Sequence, residues 1–309
     1  QAQGSHKPKT TVIRLKVTTS NYWVHDLDPF LWQFPDSFSH WGPGGIRWYG
    51  IAYLAGFISA FFLLKQYHRH KRSPYNSEQV MNLMTFLVLG VLLGGRIGYA
   101  LLYRWNEFTE DPLILLRVWE GGMASHGGFV GVCIAVLWYA RHSKQSPFPI
   151  GDIIVSVVPP GLFFGRIANF INGELWGKVT TGSWGVIFPN EPASKQVLLN
   201  PEFSKHPSLI PPEILQEITR HPSQLYAATL EGLCTFAFVQ WRFWKSDITQ
   251  RAPGRLAGEF LIAYAIARIV NEFFRQPDAS LIMGMSRGQF YSLFLVLGGA
   301  IVIGIAESR

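Results

Sequence analysis

The chain has 309 residues, 48% of them hydrophobic and 15% charged, with a formal net charge of +7. Soluble domains carry about a quarter charged residues, so this composition argues against an ordinary soluble enzyme and for a polytopic membrane protein. Lys and Arg lie mainly between apolar runs, which fits membrane topology better than nucleic-acid binding.

Residues 1–45 alternate polar and aromatic stretches, with no signal-peptide core in residues 1–20. Thr10 to Thr19 reads as a strand or a surface helix, and Gly42-Pro43-Gly44-Gly45 as a breaker. A first span is expected at about 46–64, long enough for a hydrocarbon core of roughly 30 Å, and the basic run Lys65 to Arg72 stops it. The second, at about 80–103, contains Arg96 and the small-residue seam Gly90, Gly94 and Gly98, suited to close helix packing. A mixed-charge loop covers 104–125. The third run, 126–139, is short and begins with glycines, so a full span and a re-entrant segment are both open. The fourth, about 150–171, contains Pro159-Pro160, which predicts a kink, and Asp152, which reads as the cap of its start. Residues 172–221 form a polar, proline-bearing insertion, and further spans are expected at about 222–241, 256–274 and 289–305. Cys133 and Cys234 read as buried free thiols.

The expected fold class is therefore all-α: about seven transmembrane helices with a small periplasmic insertion between spans four and five. The domain division is 1–45, 46–171, 172–221 and 222–309. The basic loops at 65–72, 141–144 and 242–255 are assigned to the cytoplasm, which leaves the N-terminus periplasmic and the C-terminus cytoplasmic.

Three polar clusters interrupt the apolar runs. The first is Gly165-Arg166-Ile167-Ala168-Asn169-Phe170-Ile171-Asn172-Gly173-Glu174-Leu175-Trp176-Gly177. Arg166 and Asn169, three apart, share one helical face. A guanidinium at headgroup depth can pair bidentately with a phosphate, although a snorkelling arginine with structural Asn partners is the plainer reading. In the second cluster, Trp119-Glu120-Gly121-Gly122-Met123-Ala124-Ser125-His126-Gly127-Gly128, the glycines permit close backbone approach. His126 titrates near neutrality there and is a candidate general base or a structural histidine. In the third, Tyr264, Arg268 and Glu272 recur at every fourth residue, with Asn271 beside them. Arg268 needs Glu272 as a structural partner, or binds an anion together with a second arginine. His221-Pro222-Ser223-Gln224-Leu225-Tyr226 and Arg47-Trp48-Tyr49-Gly50 open two spans and read first as interfacial anchors. No metal-ligand spacing, phosphate loop or nucleophile elbow occurs in the sequence.

With these motifs the chain resembles the prolipoprotein diacylglyceryl transferase family of bacterial inner membranes. The stretch Gly165 to Gly177 nearly reproduces the family signature, with Ala168 where Gly is usual. Gly95-Arg96-Ile97-Gly98-Tyr99, Trp119 to Gly128, His221 to Tyr226 and the Tyr264/Arg268/Glu272 face resemble further family blocks in the same order. Ser125 replaces a usual Phe and Ala227 a usual Glu, and the likeness covers about residues 40–306.

The resemblance implies transfer of the diacylglyceryl group from phosphatidylglycerol to the lipobox cysteine thiol of a preprolipoprotein, forming a thioether and releasing glycerol 1-phosphate. It implies no metal and no cofactor. The partners it implies are phosphatidylglycerol, lipobox-containing signal peptides and membrane lipids, with no nucleic acid. By motif match, His126 draws the thiol proton, Arg166 and Arg268 are essential arginines, and Tyr49, Asn169, Glu174, Gly177, Tyr264 and Glu272 are substrate-binding positions. The chemistry agrees with the residues: a thiol is a weak nucleophile until deprotonated, and two arginines in a low-dielectric pocket stabilise a leaving phosphate. The alternatives are a transporter with broken helices and a non-catalytic relative that binds lipid or lipoprotein.

Overall fold

The computed structural model describes residues 22–35, 44–73, 75–117, 122–206, 209–277 and 279–309, with the side chains of Ser77, Ser125, His126 and Ser204 excluded. The reading of Thr10 to Thr19, the Gly42-Pro43 breaker and the stretch Trp119 to Gly121 lie outside the described residues.

Strands β1 (Trp23–Val24), β2 (Phe30–Gln33) and β3 (Gly45–Arg47) precede helix α1 (Trp48–Arg69). This helix runs past the expected stop at Leu64, because Lys and Arg are good helix formers whose long stems let their charged heads reach water. Helix α2 (Ser77–Tyr103) opens on a reciprocal capping box between Asn76 and Gln79. After α3 (Trp105–Glu110) and a tight turn at Pro112–Leu115 comes α4 (Ser125–His142). Helices α5 (Pro147–Val157) and α6 (Pro159–Ile171) meet at a bend of 42°. This is the kink that Pro159-Pro160 predicts, since a proline ring removes one donor and crowds the preceding turn.

The insertion holds β4 (Val186–Ile187), α7 (Pro192–Leu198), α8 (Pro201–Lys205), α9 (Pro212–Ile218) and β5 (Thr219–Arg220). Then α10 (Ser223–Ala227), a π-helical stretch (Ala228–Cys234) and α11 (Thr235–Lys245) follow one another directly. Helix α12 (Ile248–Arg251) leads to α13 (Arg255–Glu272) and α14 (Arg287–Glu307).

Among the described residues, α1, α2 and α14 are each long and apolar enough to cross a bilayer, and the bent pair α5–α6 adds a fourth crossing if counted as one span. The protein is a mostly helical membrane protein. The all-α expectation is corrected in one respect: β1 pairs parallel with β4, β4 pairs antiparallel with β5, and β2 pairs antiparallel with β3. Strands this short show no readable alternation in sequence. The N-terminal strand joins the insertion, and Val24, Ile187 and Ile218 share a small core there. A larger core gathers Leu64, Tyr67, Leu83, Ile150, Val239 and Phe243 from α1, α2, α5 and α11.

The glycine seam on α2 packs against α4. A Cβ added to Gly94 would stand 2.4 Å from the Gly127 carbonyl oxygen, and one added to Gly98 2.6 Å from the Gly127 Cα. Only glycine allows this approach, which fixes the first turn of α4 against α2.

Two residue-level expectations are corrected. Ser146, not Asp152, caps α5. Asp152 is fully buried within α5 and accepts hydrogen bonds from the Gly254 N–H (2.7 Å) and the Ala257 N–H (2.8 Å), so it caps α13 instead. Donors inside α5 are already bonded, whereas first-turn donors of α13 need partners. Cys133 and Cys234 are exposed rather than buried. On a membrane helix an apolar stretch can face lipid, so hydrophobicity does not report burial in protein.

Candidate functional site

The π-helical stretch carries Glu231, whose side chain is fully buried. One carboxylate oxygen accepts from Arg166 Nε at 3.0 Å and stands 2.8 Å from Arg166 Nη2. The other accepts from Arg268 Nη1 at 3.2 Å. Arg268 Nη2 lies 2.6 Å from Glu272, one turn further along α13. The two arginines singled out in the sequence, on α6 and α13, therefore share one carboxylate. A π-turn shifts side chains off the ordinary helical register and is frequent at functional sites. A carboxylate between two guanidiniums orients both planes and leaves their remaining N–H donors for an anion. Sequence reading missed Glu231. The available signal was an ionisable residue inside an apolar run, the same signal that marks Arg268.

A second group abuts the first. Tyr49, near the start of α1, donates its hydroxyl to Glu174 Oε1 and accepts from Asn169 Nδ2. Asn169 Nδ2 also reaches Glu174 Oε1 at 2.7 Å, and Arg166 Nη1 stands 3.5 Å from Asn169 Oδ1. Glu174 folds back onto α6 because Gly173 and Leu175 on either side of it adopt left-handed backbones, φ 62° and 57°. For leucine that conformation costs about 1–2 kcal/mol, so the surrounding contacts hold it in place. Burial pushes the Glu174 carboxyl above its usual 4.5, with Arg275 pulling the other way.

Three further supports surround the site: His25 and Arg275 were not singled out in the sequence, and Arg96 was noted there without a contact. His25, just beyond β1, donates from Nε2 to the Phe170 carbonyl at 2.7 Å, with its ring edge-on to Phe170, and so satisfies one of the last carbonyls of α6. Burial pushes this imidazole below its usual 6.5. Arg96 is buried and donates to the carbonyls of Ile114, Leu115 (3.2 Å), Arg117 (2.7 Å) and Gly122 (3.0 Å), gathering the loop that leads into α4. Arg275 packs close to Arg166, Asn169, Gln224 and Asn271.

Tyr49, Asn169, Glu174, Arg166, Arg268 and Glu272 thus form one connected network, and Tyr264 interacts with Arg166 from the same face of α13. Gly177 lies beside it. Its N–H donates to the His221 carbonyl at 2.9 Å, and a Cβ there would stand 2.5 Å from that oxygen and 2.7 Å from the Phe274 carbonyl. Backbone crowding accounts for this glycine. His126 occupies the second position of α4, behind an Ala124 N–H to Gly95 carbonyl bond of 2.9 Å; its side chain lies outside the described residues.

A sequence model of the family described as "Prolipoprotein diacylglyceryl transferase" matches residues 35–305. The chain belongs to this family. Among its relatives, the phosphatidylglycerol–prolipoprotein diacylglyceryl transferase of Idiomarina loihiensis is 42% identical over 289 residues, 90% of this chain and 96% of the relative. The proteins of the same name from Psychrobacter arcticus and Pectobacterium atrosepticum are 41% and 39% identical, covering 87% and 95% of this chain and 92% and 98% of their own lengths. In this family member, the signature stretch Gly165 to Gly177 supplies α6's Arg166 and Asn169 and the returning Glu174.

Proposed function

We infer that the protein transfers the diacylglyceryl group of phosphatidylglycerol to the lipobox cysteine thiol of preprolipoproteins. The product is a thioether, and glycerol 1-phosphate is released. The observation that carries the mechanism is the pair Arg166 and Arg268 held on the two oxygens of Glu231. With Arg275, three guanidiniums stand against the carboxylates of Glu231, Glu272 and Glu174, so the charges balance, and it is the guanidinium N–H donors rather than a net charge that can pair with an anion.

The reaction proceeds by displacement. His126 takes the thiol proton, and the thiolate sulfur attacks the glyceryl carbon that bears the phosphate. The C–S bond forms as the C–O bond breaks, and the electron pair leaves with the phosphate oxygen. Arg166 and Arg268 hold the phosphate and stabilise the charge that gathers on it. Tyr49, Asn169 and Glu174 order the lipid-facing side, and Tyr264 and Glu272 hold the arginines in register. Gly177 contributes close packing beneath them.

The proposed topology has seven spans: α1, α2, α4, α5–α6, α10–α11, α13 and α14. Helix α4, with 18 residues, is about 27 Å long, close to the roughly 30 Å of a hydrocarbon core. The N-terminal segment (1–45) and the insertion (172–221) face the periplasm, and the regions 46–171 and 222–309 hold the helices of the inner membrane. The basic ends of α1, α4 and α11 support a cytoplasmic placement for those loops, and the C-terminus follows.

The function is tested by incubating the purified protein with phosphatidylglycerol and a lipobox peptide. The expected result is a mass gain of one diacylglyceryl unit on the peptide cysteine. No gain, with a related transferase active in parallel, refutes the reading.

A further inference from the structure

The first turn of α14 packs directly on Glu272. Ser286 and Gln289 cap this turn reciprocally, and the buried Ser292 donates its hydroxyl to the Gly288 carbonyl at 2.7 Å, so the backbone around Gly288 is held from both sides. A Cβ added to Gly288 would stand 2.5 Å from Glu272 Cδ, 2.6 Å from Oε1 and 2.9 Å from Cγ. Non-bonded carbon atoms settle at about 3.5–4.0 Å, so any side chain at this position displaces Glu272. Glycine is a poor helix former, and the approach of Glu272 supplies the reason for one here.

The carboxylate is not free to yield. Glu272 is 5% exposed, and its Oε1 lies 2.6 Å from Arg268 Nη2 and 3.9 Å from Arg275 Nη1. A surface glutamate would swing aside into another rotamer at little cost, whereas this one would have to leave two guanidiniums inside the protein. The positive end of α14 also favours a carboxylate beside its first turn. Contact therefore passes from Gly288 to Glu272 to Arg268, and Arg268 reaches Glu231, the carboxylate it shares with Arg166.

We propose that Gly288 is a positioning residue of the transfer reaction: by carrying no side chain it lets α14 close on Glu272, and Glu272 so placed fixes the direction of Arg268. The inference rests on the proposed transferase reading. It gives α14, which contributes none of the residues named in the mechanism, a part in the chemical step. Gly288 itself touches no substrate; a side chain there acts by turning Arg268 away from the phosphate it is to stabilise.

The test is a double-mutant cycle of Gly288→Ala with Glu272→Asp, read as kcat and KM for transfer from phosphatidylglycerol to a lipobox peptide. Gly288→Ala alone is expected to lower kcat by about tenfold or more, with a smaller change in KM, because a charge-assisted contact in the transition state is misdirected. Alanine is the better helix former, so membrane insertion is expected to hold. Glu272→Asp keeps the charge and withdraws the carboxylate by one methylene from the added methyl group. In that background the loss caused by Gly288→Ala should shrink to about threefold or less. A Gly288→Ala kcat within about twofold of the unaltered protein overturns the proposal, since Glu272 would then have room to move. An equal loss in both backgrounds overturns it as well, because the glycine would then serve packing that does not pass through Glu272. If Gly288→Ala fails to insert, recovery of insertion and turnover in the double variant supports the proposal, and continued failure overturns it. Inactivity of the unaltered protein on phosphatidylglycerol sinks the transferase reading instead. Melting temperatures across the same cycle then judge the Gly288–Glu272 contact, and additive shifts would overturn it.

Discussion

Replacing Glu231 by Gln is the most direct probe of the arginine pair. The change is isosteric, so no cavity forms. It removes the charge that holds two cations and places an amide donor against a guanidinium donor. Two unit charges about 5 Å apart repel by about 3 kcal/mol at an effective dielectric near 20, so the guanidiniums should splay before any substrate arrives. Breaking a buried ion pair from one side costs about 3–5 kcal/mol of stability. In the reaction, each misaligned arginine forfeits a charge-assisted contact of about 1.5–3 kcal/mol, or about 10–150-fold in rate. With both affected, kcat should fall by about 10²–10⁴-fold while KM changes less. Removing a negative charge also raises the field on the leaving phosphate, which acts the other way. The geometry decides: Glu231 touches both arginines at 2.8–3.2 Å, so it orders them even without substrate. Glu231→Asp keeps the charge but withdraws the carboxylate by one methylene, and an intermediate loss is expected. The assay follows transfer from labelled phosphatidylglycerol to a lipobox peptide in proteoliposomes, with thermal stability measured on the same samples. Turnover equal to or above that of the unaltered protein would show that Glu231 restrains the arginines rather than organising them.

Three further outcomes are expected. His126→Gln should lose activity in the chemical step, with the pH dependence of kcat flattened; an unchanged rate and pH profile would remove His126 as the base. Gly127→Val adds methyl groups to a Cβ that would itself stand 2.2 Å from the Gly94 carbonyl oxygen, so overpacking should cost about 1–3 kcal/mol and displace the first turn of α4; normal melting and turnover would show that the seam yields. Acidification should loosen the contacts around β1 and the insertion in two stages. The folded His25 imidazole lies below its usual 6.5 through burial, so the unfolded chain binds a proton first and stability falls as the pH drops below 6.5. The folded Glu191 carboxyl lies below 4.5: burial works against this, and hydrogen bonds from Ser194 with the Arg220 guanidinium outweigh it, so a second loss begins below 4.5. Hydrogen exchange at residues 22–25 and 186–191 reads both stages, and His25→Phe should abolish the first.

Most of the helical frame was legible in the sequence. Apolar runs and the Pro159-Pro160 bend follow from local rules, because cost in hydrocarbon and backbone geometry depend on the residue and its near neighbours. Helical spacing likewise put Arg268 and Glu272 on one face and Arg166 near Asn169. Spacing says which face a residue occupies and nothing about what that face meets. That Arg166 and Arg268, about a hundred residues apart, close on Glu231 was decided by how α6, α13 and the π-helical stretch pack. The same holds for Asp152 capping α13, for His25 reaching Phe170 and for β1 pairing with β4. Each of these joins distant segments through one or two bonds, too few to leave a period in the chain. The sequence by itself determined that buried charge would be present in these spans. The tertiary structure decided how that charge is paired, because burial forces each ion to find a partner and packing determines which partners come within reach.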